Sequence, residues 1–173
     1  AKMHKAIAVI QFKAEGAMIR RHPEYEMDDR VMLANVDYEK GTVDIDGKAY
    51  PMMDMNLPTV DPKNPLELSR GEKDLLRTLQ ASFMHSGLLH RHVRFLYSHG
   101  GMYKCYNSNL LYHGCIPMKK DGSFDTITID GISYGGKSLM DYFDRQMQNA
   151  YFMPEGAEGR ERAVDMMWYL WCG

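Results

Sequence analysis

Residues 126–141 read "TITIDGISYGGKSLMD": β-branched residues alternate, break at Asp130-Gly131, resume as Ile132-Ser133-Tyr134, then pass through two glycines. Asp-Gly between short extended runs signals a type I′ hairpin, because both central residues need positive φ. Ser138, three residues ahead of Asp141, marks the start of a helix that carries Leu139, Phe143, Met147 and Ala150 at helical spacing. A hairpin that feeds a helix, in a chain without a strand–helix–strand repeat, sets the fold class as α+β.

Working outward, a second Asp-Gly hairpin falls at Thr42–Ile45, Asp46-Gly47 and Lys48–Tyr50. The two hairpins differ in neighbours and spacing, so they do not form an internal repeat. Residues 1–22 are predicted as one helix with an apolar stripe of Met3, Ile7, Ile10, Ala14 and Ala17, stopped ahead of Pro23. Residues 28–38 are predicted as a short helix. Pro51, Pro58, Pro62 and Pro65 make 51–66 an extended connector. Ser69 and Glu72 form a capping box opening a helix whose buried face is predicted to be Leu75, Leu76, Leu79 and Phe83. Gly87 breaks it, and a second segment runs over 88–97. Strands are predicted at 102–106 and 109–112, the latter buried, and a last helix at 160–171.

The chain has 173 residues, which suits one domain and lets folding remove roughly 70% of the unfolded surface from water. Its net charge of −2 supplies no basic field, so nucleic acid and anionic membrane are not expected partners. No apolar run approaches the roughly 20 residues of a membrane span, and no signal-peptide pattern opens the chain. Cys105, Cys115 and Cys172 are an odd count without scaffold spacing, which points to reduced thiols. Fifteen methionines suit either a core or an adaptable interface. No capping residue precedes the first helix, and residues 163–173 end on Trp168, Tyr169, Leu170 and Trp171. Both ends read as belonging to something longer.

Several residues invite a chemical reading and then fail it. His85, His92 and His99 recur every seven residues, but neighbours on such a helical stripe are about 10.5 Å apart and cannot share one metal. The residues directly after Cys115, 116–122, include no arginine, and Pro117 lacks an N–H to cradle phosphate, so a phosphatase-type thiolate does not fit and a buried thiol is expected. Gly135-Gly136-Lys137-Ser138 lacks the upstream glycine of a phosphate-binding loop. His113 remains, at the end of the Leu110-Leu111-Tyr112 run and beside Gly114. A strand end is a rigid mount for a ligand-binding side chain. The residues alone leave open whether His113 binds or packs.

Residues 103–118, "YKCYNSNLLYHGCIPM", and "DGSF" at 121–124 resemble the bacterial class III fructose-1,6-bisphosphatases. "KMHKAIAVIQFKAEG" at 2–16, "NLPTVDP" at 56–62, "FLYSHGGMY" at 95–103 and "MWYLWCG" at 167–173 carry the resemblance across the chain in the same order. It implies an internal fragment of a calcineurin-like metallophosphatase, a partial β-sandwich flanked by helices with a helical and hairpin insertion. Residues 1–100 would be a cap or regulatory region and residues 101–173 part of the catalytic domain. It implies Mn²⁺ or Mg²⁺ as cofactor, two metals clamping the phosphate and activating water, with His113 as one ligand. The Asp-x-His, Gly-Asp-x-x-Asp-Arg-Gly and Gly-Asn-His-Asp/Glu segments would lie upstream, so no catalytic residue is assignable. The implied whole enzyme removes the 1-phosphate of fructose 1,6-bisphosphate in gluconeogenesis, is cytoplasmic, and has a sugar bisphosphate as partner with a homo-oligomer left open. The fragment alone is expected to be inactive and metal-free. Two other readings stand beside it: a non-catalytic binding or oligomerisation module, and a different calcineurin-like phosphatase.

Overall fold

The computed structural model describes residues 2–112 and 114–172, which divide into two compact units, 2–85 and Ser86–Cys172. In the first, α1 (Lys2–Arg21) buries Val9, Ile10, Lys13, Gly16, Met18 and Ile19. The predicted stripe is therefore displaced: Ile10 is buried, but Met3 and Ile7 are exposed. Apolar residues lie on several sides of this helix, so periodicity alone does not choose the face. The choice is made by what packs there. The third of three 3-10 turns, Pro23–Tyr25, Asp28–Arg30 and Met32–Asn35, buries Leu33, and the residues linking the turns bury Met27 and Val31. A Cβ on Gly16 would lie 2.7 Å from Leu66 Cδ2 and 3.2 Å from Val31 Cγ1, so this glycine sets how closely the helix approaches.

The short helix predicted over 28–38 is instead two of those turns followed by a strand. Val31 and Leu33 are buried two residues apart, a spacing that a continuous α-helix would send to different faces. Strands β1 (Val36–Asp37), β2 (Thr42–Ile45) and β3 (Lys48–Pro51) form an antiparallel sheet with Ile45 opposite Lys48. Asp46 and Gly47 both have positive φ, as a type I′ turn requires.

Helix α2 (Arg70–Met84) opens on the predicted capping box: Ser69 Oγ accepts from the Glu72 N–H at 3.3 Å, and Glu72 Oε2 accepts from the Ser69 N–H at 2.7 Å. Its predicted buried face is open. Leu75, Leu79 and Phe83 are exposed and Leu76 half-buried. The amphipathic pattern is present, but among the described residues nothing of this unit covers it.

In the second unit, α3 (Gly87–His99) is capped by Ser86, whose Oγ accepts from the Leu89 N–H at 3.3 Å. Strands β4 (Tyr103–Tyr106) and β5 (Asn109–Tyr112) form a ribbon whose two-residue turn, Asn107-Ser108, has positive φ at both positions. Leu110, Leu111 and Tyr112, predicted buried, are exposed, because a two-stranded ribbon has no second layer of its own. Strands β6 (Thr126–Ile129) and β7 (Ile132–Gly135) form the predicted hairpin.

Helices α4 (Lys137–Phe152) and α5 (Arg160–Cys172) make the core of this unit: Leu139, Met140, Phe143 and Ala150 are buried on α4, Ala163 and Met166 on α5. Arg162 Nη1 donates to both Asp130 carboxylate oxygens at 3.0 Å, tying α5 to the β6–β7 turn. The cap of α4 is Gly136, not Ser138. Ser138 already lies inside the first turn, and its hydroxyl turns back to the backbone N–H and C=O of Gly135, both at 3.0 Å. Gly136 has φ +51 and ψ −124, and a Cβ there would meet the Phe124 ring at 2.9 Å. Among the described residues the three sheets share no strand ladder, and the fold class is α+β as the sequence indicates.

Candidate functional site

The metal ligand that the resemblance implies, His113, lies outside the described residues. Its neighbours are described. Tyr112 ends β5 and pairs in register with Tyr103 of β4. Gly114 has φ +88, a conformation that L side chains rarely adopt. Cys115 is exposed, not the buried thiol expected: among the described residues no layer covers the segment after β5 at that point. Beyond it the chain closes a short turn, with Met118 bridged to Phe124 and the Lys119 N–H donating to Ser123 C=O at 2.8 Å. Asp121 braces this turn by accepting from the Ser123 hydroxyl and N–H, which hold its carboxyl below the usual range.

The ribbon is tied to α4 at one end. Tyr103 donates its hydroxyl to Asp141 Oδ1 at 2.9 Å, and Lys137 Nζ donates to Asp141 Oδ2 at 2.6 Å. The same ammonium lies 5.6 Å from the centroid of the Tyr103 ring. Lys137 and then Tyr103 hold the Asp141 carboxyl below its ordinary value, and Asp141 raises Lys137 in turn. The Lys137–Asp141 pair follows from i,i+4 spacing. The Tyr103 contact has no sequence signal, because 38 positions separate the phenol from the carboxylate.

His85, His90, His92 and His99 are where the sequence puts them, on helix surfaces or ends, whereas His22 is buried ahead of the first 3-10 turn. His85 caps α2 and its Nδ1 lies 2.8 Å from Ala81 C=O. His99 Nδ1 lies 3.1 Å from Phe95 C=O, and His90 Nδ1 lies 2.6 Å from the Tyr151 hydroxyl. Among the described residues no group of three His, Cys, Asp or Glu side chains could hold a metal ion. These residues therefore do not by themselves fit the divalent metal that the resemblance implies, and no chemical step is assigned to one.

In the first unit the polar feature that sequence reading missed is Lys13. It is sealed from water, donating to Glu72 Oε2 at 2.9 Å and to Thr59 C=O at 2.6 Å. Burial pushes the Glu72 carboxyl up, but the Lys13 ammonium, with hydrogen bonds from Thr59 and Ser69, outweighs it and holds the group at about 2. A lysine among Val9, Ile10 and Gly16 carries no mark that separates it from a surface lysine. Beside this pair is an open cleft of about 570 Å³, lined by Thr59, Asp61 and one side of α2, including Arg70, Lys73 and Arg77.

The sequence model of the Firmicute fructose-1,6-bisphosphatase family matches residues 1–173. This chain belongs to that family. A relative from Clostridium novyi (strain NT), named fructose-1,6-bisphosphatase class 3, is 55% identical over 172 residues, covering 99% of this chain and 26% of the relative. Relatives of the same name from Alkaliphilus metalliredigens (strain QYMF) and Clostridium tetani (strain Massachusetts / E88) are 52% and 49% identical, each covering 100% of this chain and 26% of the relative. The chain thus spans about a quarter of the length of the curated relatives it matches. No solved structure matches it. Among the described residues, no helix is long and apolar enough to cross a membrane.

Proposed function

We propose that the whole protein is a fructose-1,6-bisphosphatase that hydrolyses the 1-phosphate of its substrate in the cytoplasm, and that this chain is one part of it. The observation that supports this most is the family match over the full 173 residues, together with relatives of that name at about half identity. In this reading residues 101–173 belong to a calcineurin-like catalytic sandwich and residues 1–100 to a cap or regulatory region. His113 gives one ring nitrogen to a Mn²⁺ or Mg²⁺ centre whose other ligands come from outside this chain. A lone imidazole does not retain such an ion against water, since these hard cations take several oxygen ligands. The chain by itself is accordingly inactive.

The test is phosphate release from fructose 1,6-bisphosphate by the full-length protein with Mn²⁺ or Mg²⁺, wild type against His113→Ala. Activity in the wild type that falls by roughly a hundredfold or more in the variant supports the reading. An inactive wild type, or a variant of equal rate, overturns it. Elemental analysis of this chain that finds a stoichiometric metal lost with His113→Ala would overturn the claim that the ligands lie mainly elsewhere.

A further inference from the structure

The two Asp-Gly turns share a backbone and differ in what surrounds it. Asp46 and Gly47 have φ +53 and +74, and Asp130 and Gly131 have φ +51 and +78. In such a pair the amide nitrogen of the glycine can attack Cγ of the aspartate before it. Glycine brings no side chain to block that approach, and a Cβ at either glycine would meet nothing within 4 Å. Reaching Cγ requires rotation about the aspartate ψ in both turns, so this requirement does not separate them.

The reacting atoms are held differently. The Gly47 N–H donates to Asp44 Oδ1 at 3.0 Å. That hydrogen is the one the nitrogen must lose, and the distance suits direct transfer to a carboxylate. Asp44 is exposed, so its side chain is free to follow the amide as the turn rotates. Asp46 is also exposed, and among the described residues nothing holds its carboxyl. In the second turn position 128 is the counterpart of 44, because Ile129 pairs with Ile132 as Ile45 pairs with Lys48. Thr128 offers a hydroxyl in place of a carboxylate, and it is engaged with Ser133 Oγ at 3.1 Å. Both Asp130 oxygens accept from Arg162 Nη1 at 3.0 Å, which ties the carboxyl away from the amide.

We propose that Asp44-Ile45-Asp46-Gly47 is a self-modifying turn, in which Asp44 acts as general base for conversion of Asp46 to isoaspartate through a succinimide. The Gly47 nitrogen forms a bond to Cγ of the protonated Asp46 carboxyl, and its proton passes to Asp44. The carboxyl hydroxyl leaves with that proton as water, which restores Asp44. Water then opens the ring at either carbonyl. Attack at the Asp46 backbone carbonyl breaks its bond to the Gly47 nitrogen and leaves the chain running through Cβ and Cγ; attack at Cγ returns aspartate. The sequence needs water alone and no oxidant or cofactor. The lengthened backbone no longer fits a two-residue turn, so the modification loosens the end of β2–β3.

The test is prolonged incubation of the full-length protein in warm, mildly acidic buffer. Isoaspartate is read by mass spectrometry after digestion with a protease that cleaves before aspartate and not before isoaspartate. It is expected to accumulate at position 46 about tenfold faster than at 130, and equal or slower accumulation overturns the proposal. Asp44→Asn keeps an oxygen to accept from the Gly47 N–H but is a far weaker base. It is expected to slow position 46 by about tenfold with 130 unchanged, and an unaltered rate at 46 overturns the role of Asp44. If Asp44→Asn does not fold, Asp44→Ser makes the same comparison. In urea the two sites are expected to react within about twofold of each other, and a tenfold gap that survives unfolding overturns the structural cause. Arg162→Gln is expected to raise the rate at 130 by about threefold, and no change there overturns its protective part.

Discussion

Lys13 and Glu72 meet at 2.9 Å in the first unit with both side chains almost sealed from water, whereas Lys137 and Asp141 meet at 2.6 Å in the second with the ammonium largely in solvent. Distance ranks them the wrong way round. The shorter, exposed pair is screened by water and salt and contributes little to stability. The longer, buried pair is strongly consequential once broken, because removing either partner leaves a charge that water cannot reach. What the second junction has instead is the Tyr103 hydroxyl, which donates to the same carboxylate from the β4–β5 ribbon. One junction is buried inside its unit, and the other joins a ribbon to a helix at the surface.

The largest expected effect breaks the first junction. Lys13→Ala leaves the Glu72 carboxylate buried without its ammonium and is expected to destabilise the first unit by about 3–5 kcal/mol, read from urea unfolding. Lys137→Ala is expected to leave the unfolding midpoint almost unchanged in the same measurement. Equal losses would erase the distinction between the two.

Acid sharpens it. Glu72 sits at about 2 when folded and 4.5 when free. A depressed carboxyl gives stability that is fully present above the unfolded value and lost as pH falls through the folded one. About 3 kcal/mol is therefore expected to disappear between pH 4.5 and 2, and Glu72→Gln is expected to flatten that part of the stability–pH curve. Next is Gly136→Ala, expected to cost about 1–3 kcal/mol through strained backbone and contact with the Phe124 ring. The smallest is Phe83→Ser on the open face of α2, expected to change the stability of the isolated chain by less than about 0.5 kcal/mol. A larger loss from the same substitution in the full-length protein would show that the face is covered there.

Local chemistry was legible where one short motif settles one geometry. Asp46-Gly47 and Asp130-Gly131 gave both hairpins, and Ser69 with Glu72 gave a cap that the structure reproduces bond for bond. Asn107-Ser108 makes the same kind of turn from a weaker signal, and the hairpin it closes was read as two separate strands. Amphipathic spacing marks Leu75, Leu79 and Phe83 as a face that seeks cover, but it does not tell whether the cover belongs to the same stretch of chain. Lys13 escaped because a lysine is expected to reach water, and only the tertiary meeting of α1 with the start of α2 explains why this one does not. His113 could be singled out from its place after a strand, but its role came from the resemblance. The Tyr103–Asp141 contact had no signal in the chain at all.

Gly114 leaves a consequence for anyone rebuilding the exit from the ribbon. Its φ is +88, yet nothing lies within 4 Å of where a Cβ would stand, so what excludes alanine is handedness and not room. A chemically assembled polypeptide with the mirror-image alanine at this point would satisfy the dihedral while removing the freedom that glycine has in the unfolded chain. It would stiffen the step after the histidine by narrowing one backbone dihedral.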